Sequence, residues 1–257
     1  MAHIHKAATD ENAGRFDREI QHGQFLAHSE TENQWGWGSP AGRIRLHRRA
    51  ALIAQAAELA KDAAVLEVGC GTGLFTERFA AFSCQLTAVD ISPDLLERAR
   101  KRVAQLGNVR FELRPFEECE DIGPFDAIVG SSVLHHLDLT KALQNMFGLL
   151  KPGGCIAFAE PNHLNPQVYL ERKYRRCFPY VSPDETAFYR RQIIRDLLEA
   201  GFVEIRVVPF DWLHPATPAF LIPLVSSVGK ILEKIPLVRE FSGSLLLSAR
   251  KPLSASL

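Results

Sequence analysis

The sequence predicts an α/β domain built on a doubly wound, seven-stranded, mostly parallel sheet, with an N-terminal arm and a helical insert before the last strand. Short β-rich apolar runs alternate with helical patterns from Val65 to Ala159. Such alternation requires crossover connections that put helices on both faces of a parallel sheet. A glycine-rich turn, Gly69-Cys70-Gly71-Thr72-Gly73, directly follows the first run, and Asp90 closes the second.

Residues 1–40 read as a polar, irregular arm that carries Trp35 and Trp37. Two readings suit these rings: anchors that tie the arm to the domain, or a lid over a ligand site. Residues 41–257 form the main domain. From Ser39-Pro40 the pattern turns helical, with Leu46, Ala50, Ile53 and Ala57 as the apolar stripe and Arg43, Arg45, Arg48 and Arg49 as a solvated or anion-facing cluster. Strands are expected at Val65–Val68, Gln85–Val89, Val109–Leu113, Ala127–Gly130 and Cys155–Ala159. Helices fall between them at about Leu74–Ala81, Ser92–Val103 and Leu139–Leu150. Ser92-Pro93 supplies a cap and a first-turn proline, and Lys151-Pro152-Gly153-Gly154 predicts a turn.

Ser182-Pro183-Asp184-Glu185 has the composition of a capping box, so a helix is expected to begin there and stop at Gly201. The last strands are Val203–Val208 and Ser244–Ala249. Between them the insert 213–241 carries Leu221, Leu224, Val228, Leu232 and Ile235 at helical spacing, with Ser226, Ser227, Lys230, Glu233 and Lys234 opposite. An amphipathic helix follows, its apolar face available to its own domain, a homodimer partner, a substrate tunnel or a peripheral membrane contact.

The length of 257 residues fits one large domain, and 46% apolar against 23% charged residues supports a core without metal or disulfide staples. Lysine and arginine total 30, as do aspartate and glutamate, so no overall field favours nucleic acid. The cysteines 70, 84, 119, 155 and 177 are odd in number and form no CxxC pair, which points to reduced thiols and no metal site. With no signal-peptide pattern and no long apolar run, a cytoplasmic protein is expected.

In open parallel sheets ligands lie beyond the strand carboxyl ends, where a glycine turn lets backbone amides approach closely. Asp90, twenty-one residues beyond Gly69, stands near the spacing at which a carboxylate reaches the hydroxyls of an adenosine ribose. Leu74 departs from dinucleotide GxGxxG spacing, so pyrophosphate recognition is a weak reading.

Together, VLEVGCGTG at 65–73, VD at 89–90, FDAIVGSSVLHHLD at 125–138 and LKPGG at 150–154 resemble the class I S-adenosylmethionine-dependent methyltransferases, of small-molecule type with a ubiquinone/menaquinone-methyltransferase-like domain. The resemblance covers about 60–208 and extends to 249 by topology. It implies a Rossmann-like fold and S-adenosylmethionine as cofactor. It further implies that Gly69, Gly71 and Gly73 line the methionine and ribose portion, with Glu67 orienting the loop or the amino group. Asp90 would accept from the ribose diol, Ile91 would cover adenine, and Ser131 would lie near the methionine tail. Pro115 departs from the family's adenine-binding aspartate, leaving Phe116 to pack on the base and Glu117 to replace the carboxylate. Gly130-Ser131-Ser132-Val133 replaces the Asn/Asp-Pro-Pro-Tyr motif and argues against base or glutamine-amide methylation.

A general base is useful when the attacking hydroxyl or carbon acid must lose a proton. His135, His136 and His163 are the catalytic candidates, with His136 expected to be the less dispensable of the adjacent pair, and each has a structural reading beside it. The segment 169–180, with Arg172, Lys173, Arg175 and Arg176 among aromatics, suits either a substrate clamp or a solvated helix face. The expected activity is methyl transfer to a small or amphiphilic, hydrophobic metabolite, at oxygen. Carbon methylation of a lipid or quinone-like acceptor is the alternative, followed by a non-catalytic S-adenosylmethionine-binding protein.

Overall fold

The computed structural model describes residues 14–21, 23–24, 31–178 and 186–253. Seven strands, β1 (Ala64–Val68), β2 (Gln85–Asp90), β3 (Val109–Leu113), β4 (Phe125–Ser131), β5 (Leu150–Pro161), β6 (Val203–Phe210) and β7 (Ser244–Arg250), form one sheet in the order β3-β2-β1-β4-β5-β7-β6. Strands β1 to β5 pair in parallel, whereas β7 enters antiparallel between β5 and β6. The strand order reverses between β1 and β4, which opens a crevice at their carboxyl ends.

Helices cover both faces. Helix α1 (Pro40–Ala56) starts where the Gly42 N–H donates to the Ser39 hydroxyl at 2.9 Å, and it buries Leu46, Ala50 and Ile53. With α2 (Leu74–Ala80) it packs over Val65, Leu86 and Ala157. Across the sheet, α4 (Leu139–Leu149) and α6 (Arg190–Glu199) contribute Leu143, Met146 and Leu197 to a core with Leu66, Ile128 and Leu247. Each large buried aliphatic contributes roughly 1.5–3 kcal/mol. Helix α3 (Pro93–Arg102) is capped by the Ser92 hydroxyl and buries Leu95, Leu96 and Ala99.

Three expectations change. Lys151-Pro152-Gly153-Gly154 is no free turn. The chain leaves α4 and pairs at once with β4 through Leu150↔Phe125, then shifts register to Cys155↔Ala127, with Gly153 at φ +78° inside the irregular stretch. The helix start at 182–185 lies outside the described residues. No continuous helix runs from there, however, because Phe188 is buried and pairs with the end of β5: its N–H donates to Pro161 O, and His163 N–H donates to Phe188 O.

The third change concerns the insert. Helix α7 (Ile222–Leu232) buries Ile222 and Gly229, with Val225 packed beside Ala41 and Leu213. Leu224, Val228 and Ile235 of the expected apolar stripe face solvent, while Leu221 and Leu232 are half-buried. Glu233, expected outside, turns inward to Arg48 at 2.8 and 2.5 Å and accepts the Asp211 N–H at 2.9 Å. A buried backbone donor and a facing guanidinium select the helix rotation that a broad apolar face leaves undecided.

Candidate active site

At the reversal point the chain leaves β1 through Gly69, Gly71 and Gly73, all at positive φ. A Cβ on Gly73 would lie 2.9 Å from the Ala99 backbone, so this glycine serves the packing of the loop on α3. Gly71 borders a cavity instead, where a Cβ would meet the Trp35 ring at 3.3 Å. Asp90, at the end of β2, spans the loop: Oδ2 accepts the Gly71 N–H at 2.7 Å and Oδ1 the Ser92 N–H at 2.9 Å. It is 9% exposed rather than standing at an open strand end, and burial raises its pKa against the opposing pull of those two N–H groups.

On the other side of the crevice, β4 and β5 end together. Ser132 adopts φ +57°, which redirects the chain sharply after β4. Glu160, fully buried at the end of β5, holds the next turn: Oε1 accepts the Val133 and Leu134 N–H groups, each at 3.0 Å, and Oε2 accepts from His135 Nδ1 at 2.6 Å. The carboxylate thereby keeps the proton on Nδ1 and the lone pair on Nε2 of a ring that borders the cavity. His136 stacks on His135 with centroids 4.3 Å apart, and its Nδ1 lies 3.4 Å from Glu19.

Arg49 stands behind this wall, 3% exposed. Its guanidinium donates to the Ser132 hydroxyl at 2.9 Å, to Ser131 at 3.3 Å and to the Ser244 hydroxyl, and it lies 5.5 Å from the Trp37 ring. Burial, then the charge of Arg45, lowers its pKa to about 10, so it stays cationic at neutral pH.

The arm closes the top. Arg15 pairs with Glu117 and donates to His136 O at 2.9 Å. Trp37 meets Phe75 edge-on at 5.6 Å, and Glu32 pairs with Arg102 of α3. Both tryptophans border the cavity, so each is at once an anchor and part of the cover. The enclosed volume is about 330 Å³, within the range of small-ligand pockets.

Of the sequence-derived candidates, Gly69, Gly71, Asp90, Ile91, Phe116, Glu117, Ser131, His135 and His136 border this one cavity. Gly73 and Glu67 stand outside its lining. Glu67 is buried in β1 with Oε2 unpartnered among the described residues. His163 lies elsewhere, packed against Tyr169 and Tyr189, and no residue of the insert 213–241 reaches the lining. Glu160 was missed, and Arg49, expected in a solvated or anion-facing cluster, is buried. Arg49 falls three residues after Leu46 and four before Ile53, which places it on the buried face of α1.

A doubly wound sheet with a glycine loop after β1, a carboxylate after β2 and a cavity at the reversal point defines a nucleoside-binding α/β protein. Residues 66–156 match a family described as a methyltransferase domain. The chain is 34% identical over 197 residues to a ubiquinone biosynthesis O-methyltransferase of Coxiella burnetii, covering 72% of this chain and 83% of the relative. It is 31% identical over 106 residues to nodulation protein S of Rhizobium tropici, covering 40% and 44%. It is also 35% identical over 130 residues to a ubiquinone biosynthesis O-methyltransferase of Xanthomonas euvesicatoria, covering 48% and 54%. The chain thus spans about half the length of these last two relatives. Among solved structures, the N-methyltransferase NodS of Bradyrhizobium japonicum in complex with S-adenosyl-l-homocysteine shares the fold at TM-score 0.56 and 23% identity, covering 83% of this chain and 89% of that one.

The chain belongs to the class I S-adenosylmethionine-dependent methyltransferases. The donor of that family is S-adenosylmethionine.

Proposed function

We propose that the protein transfers the methyl group of S-adenosylmethionine to a hydroxyl of a small, hydrophobic acceptor, with His135 as general base. The buried Glu160–His135 pair at the cavity wall carries this reading. A neutral amine needs no proton removed before it attacks, whereas a hydroxyl does. A carboxylate that holds imidazole in one tautomer suits the second task. His136, without such a buried anchor, is assigned a packing and arm-docking role.

The donor set fits the cofactor. Asp90 faces the cavity as a ribose acceptor, Ile91 and Phe116 give apolar walls for adenine, and the Ser131 and Ser132 hydroxyls, backed by Arg49, suit the carboxylate of the zwitterionic amino-acid tail. Glu117, already held by Arg15, borders the adenine end. The bound cofactor supplies an electrophilic methyl group. The chain's own part is to hold the acceptor hydroxyl near His135, take its proton on Nε2 and exclude water beneath the arm. Carbon methylation of a quinone-like acceptor would call on the same base; the likeness to ubiquinone biosynthesis O-methyltransferases supports oxygen.

A radiolabelled methyl donor offered with hydroxylated, amine and carbon-acid amphiphiles tests the assignment. The expected product is a methyl ether, formed by the wild type and lost in His135→Asn with S-adenosylhomocysteine affinity retained. Transfer only to amines, undiminished in that variant, would reject it.

A further inference from the structure

The insert presents an apolar face that nothing among the described residues covers. Leu224, Val228, Ile231 and Ile235 recur at four, three and four residues along α7 and its extension, and are 61%, 43%, 60% and 41% exposed. Phe220 and Leu237 bracket this stripe at 81% and 80% exposure. Leu237 is also held in an unfavourable conformation. At φ +67° and ψ −49° it is the centre of a γ-turn closed by Val238 N–H donating to Pro236 O at 2.9 Å, a geometry rare for a branched side chain. A strained backbone that displays a leucine to solvent calls for an occupant.

Charge selects which one. Between residues 219 and 237 the charged side chains are Lys230, Glu233 and Lys234. Glu233 is turned inward to Arg48, so the exposed charges of the segment are both lysines. The neighbouring α5 (Pro166–Lys173) continues the theme and is tied to the insert where Asn165 Nδ2 donates to Phe241 O at 2.8 Å. There Tyr169 and Tyr174 are exposed, with the Lys173 ammonium 5.5 and 5.6 Å from their rings. Apolar side chains along a helix face, aromatic rings and flanking cations without exposed acids match the interface of an anionic bilayer. Among the described residues no helix is long and apolar enough to cross a membrane, so the contact would lie in the interface plane.

We infer that the stripe Phe220–Leu237 is a bilayer-docking surface that seats the protein on anionic lipid, with Leu237 and Phe220 as the inserting side chains. Nothing in this face depends on which acceptor is methylated. It does stand next to the cavity cover, because the Ser39 hydroxyl donates to Pro215 O at 2.7 Å and Arg45 pairs with Asp211.

Flotation of the full chain with vesicles of phosphatidylcholine alone or mixed with phosphatidylglycerol tests this. The wild type should float with the anionic vesicles, and less so as salt is raised. Ile231→Asp should lower the bound fraction about tenfold, and Lys230→Glu with Lys234→Glu should do so by about as much. Leu237→Gly should reduce vesicle binding while leaving the melting temperature equal or higher, since glycine relieves the positive φ; a purely structural leucine would give a lower melting temperature and unchanged binding. Failure of the wild type to float, or unchanged flotation in Ile231→Asp, would overturn the inference. A wild-type dimer, seen by light scattering without lipid, that Ile231→Asp converts to monomer would assign the face to a second copy and overturn it equally.

Discussion

Glu160 Oε2 lies 2.6 Å from His135 Nδ1, and the other oxygen of the same carboxylate anchors the backbone turn from which His135 projects. One buried acid thus sets both the position and the tautomer of the ring.

Glu160→Gln separates these two tasks. The amide oxygen can still accept from the turn, but its NH2 must donate to Nδ1, which moves the imidazole proton to Nε2 and leaves no lone pair for the acceptor. We expect kcat to fall by about 10²–10⁴-fold, with S-adenosylhomocysteine affinity within about twofold. Equal kcat in the variant would remove the pair from the chemistry.

Asp90→Ala should weaken S-adenosylhomocysteine binding by roughly 2–4 kcal/mol. It should also lower folding stability by roughly 1–3 kcal/mol, because the Gly71 and Ser92 N–H groups lose their acceptor. Calorimetric titration paired with denaturant unfolding reads both effects; a destabilised variant with normal affinity would confine Asp90 to shaping the loop.

Glu67 predicts a pH dependence. Burial pushes its carboxyl up to about 8, and the charge of Asp90 adds to the shift, whereas the unfolded chain releases that proton near 4.5. Between these values the folded state holds more protons, so this group's effect is to lower stability as pH rises from about 4.5 to about 8. Glu67→Gln should therefore gain stability relative to the wild type across that window, by roughly 2–4 kcal/mol at its upper end. Parallel unfolding curves of the two proteins at every pH would contradict this.

Trp35→Ala removes the ring that faces Gly71 from the arm. Release of S-adenosylhomocysteine, followed by stopped flow, should accelerate by about tenfold with a smaller change in the association rate. An unchanged release rate would show that the cover does not rest on this residue.

Much of this was legible in the chain itself. The stripe Leu46, Ala50, Ile53 and the pair Ser92-Pro93 place α1 and α3 within a residue or two, because one buried face and one cap leave little alternative. The cavity wall was legible through Gly69, Gly71 and Asp90, which must stand at strand ends in any doubly wound sheet. Glu160 was hidden because its partners, Val133, Leu134 and His135, lie 25 to 27 residues away and meet it only across β4 and β5. The insert was open for a different reason: Leu221, Ile222, Leu224, Val225, Val228, Ile231 and Leu232 span about half of their helix, so periodicity alone does not say which part of that broad face meets the domain. The Arg48–Glu233 pair decided it.

Strand β7 is the last strand in the sequence yet lies between β5 and β6. A ribosome that has released only the chain up to Gly243 therefore holds a nascent domain whose β5 has an unpaired edge, open to any passing strand. The register Glu160↔Leu245 and the bond from Arg49 to the Ser244 hydroxyl form only when β7 threads into place. Birth order and spatial order run against each other here: the strand that carries Glu160 is made before β6 yet gains its second neighbour only from β7, so its edge needs protection until β7 has been made.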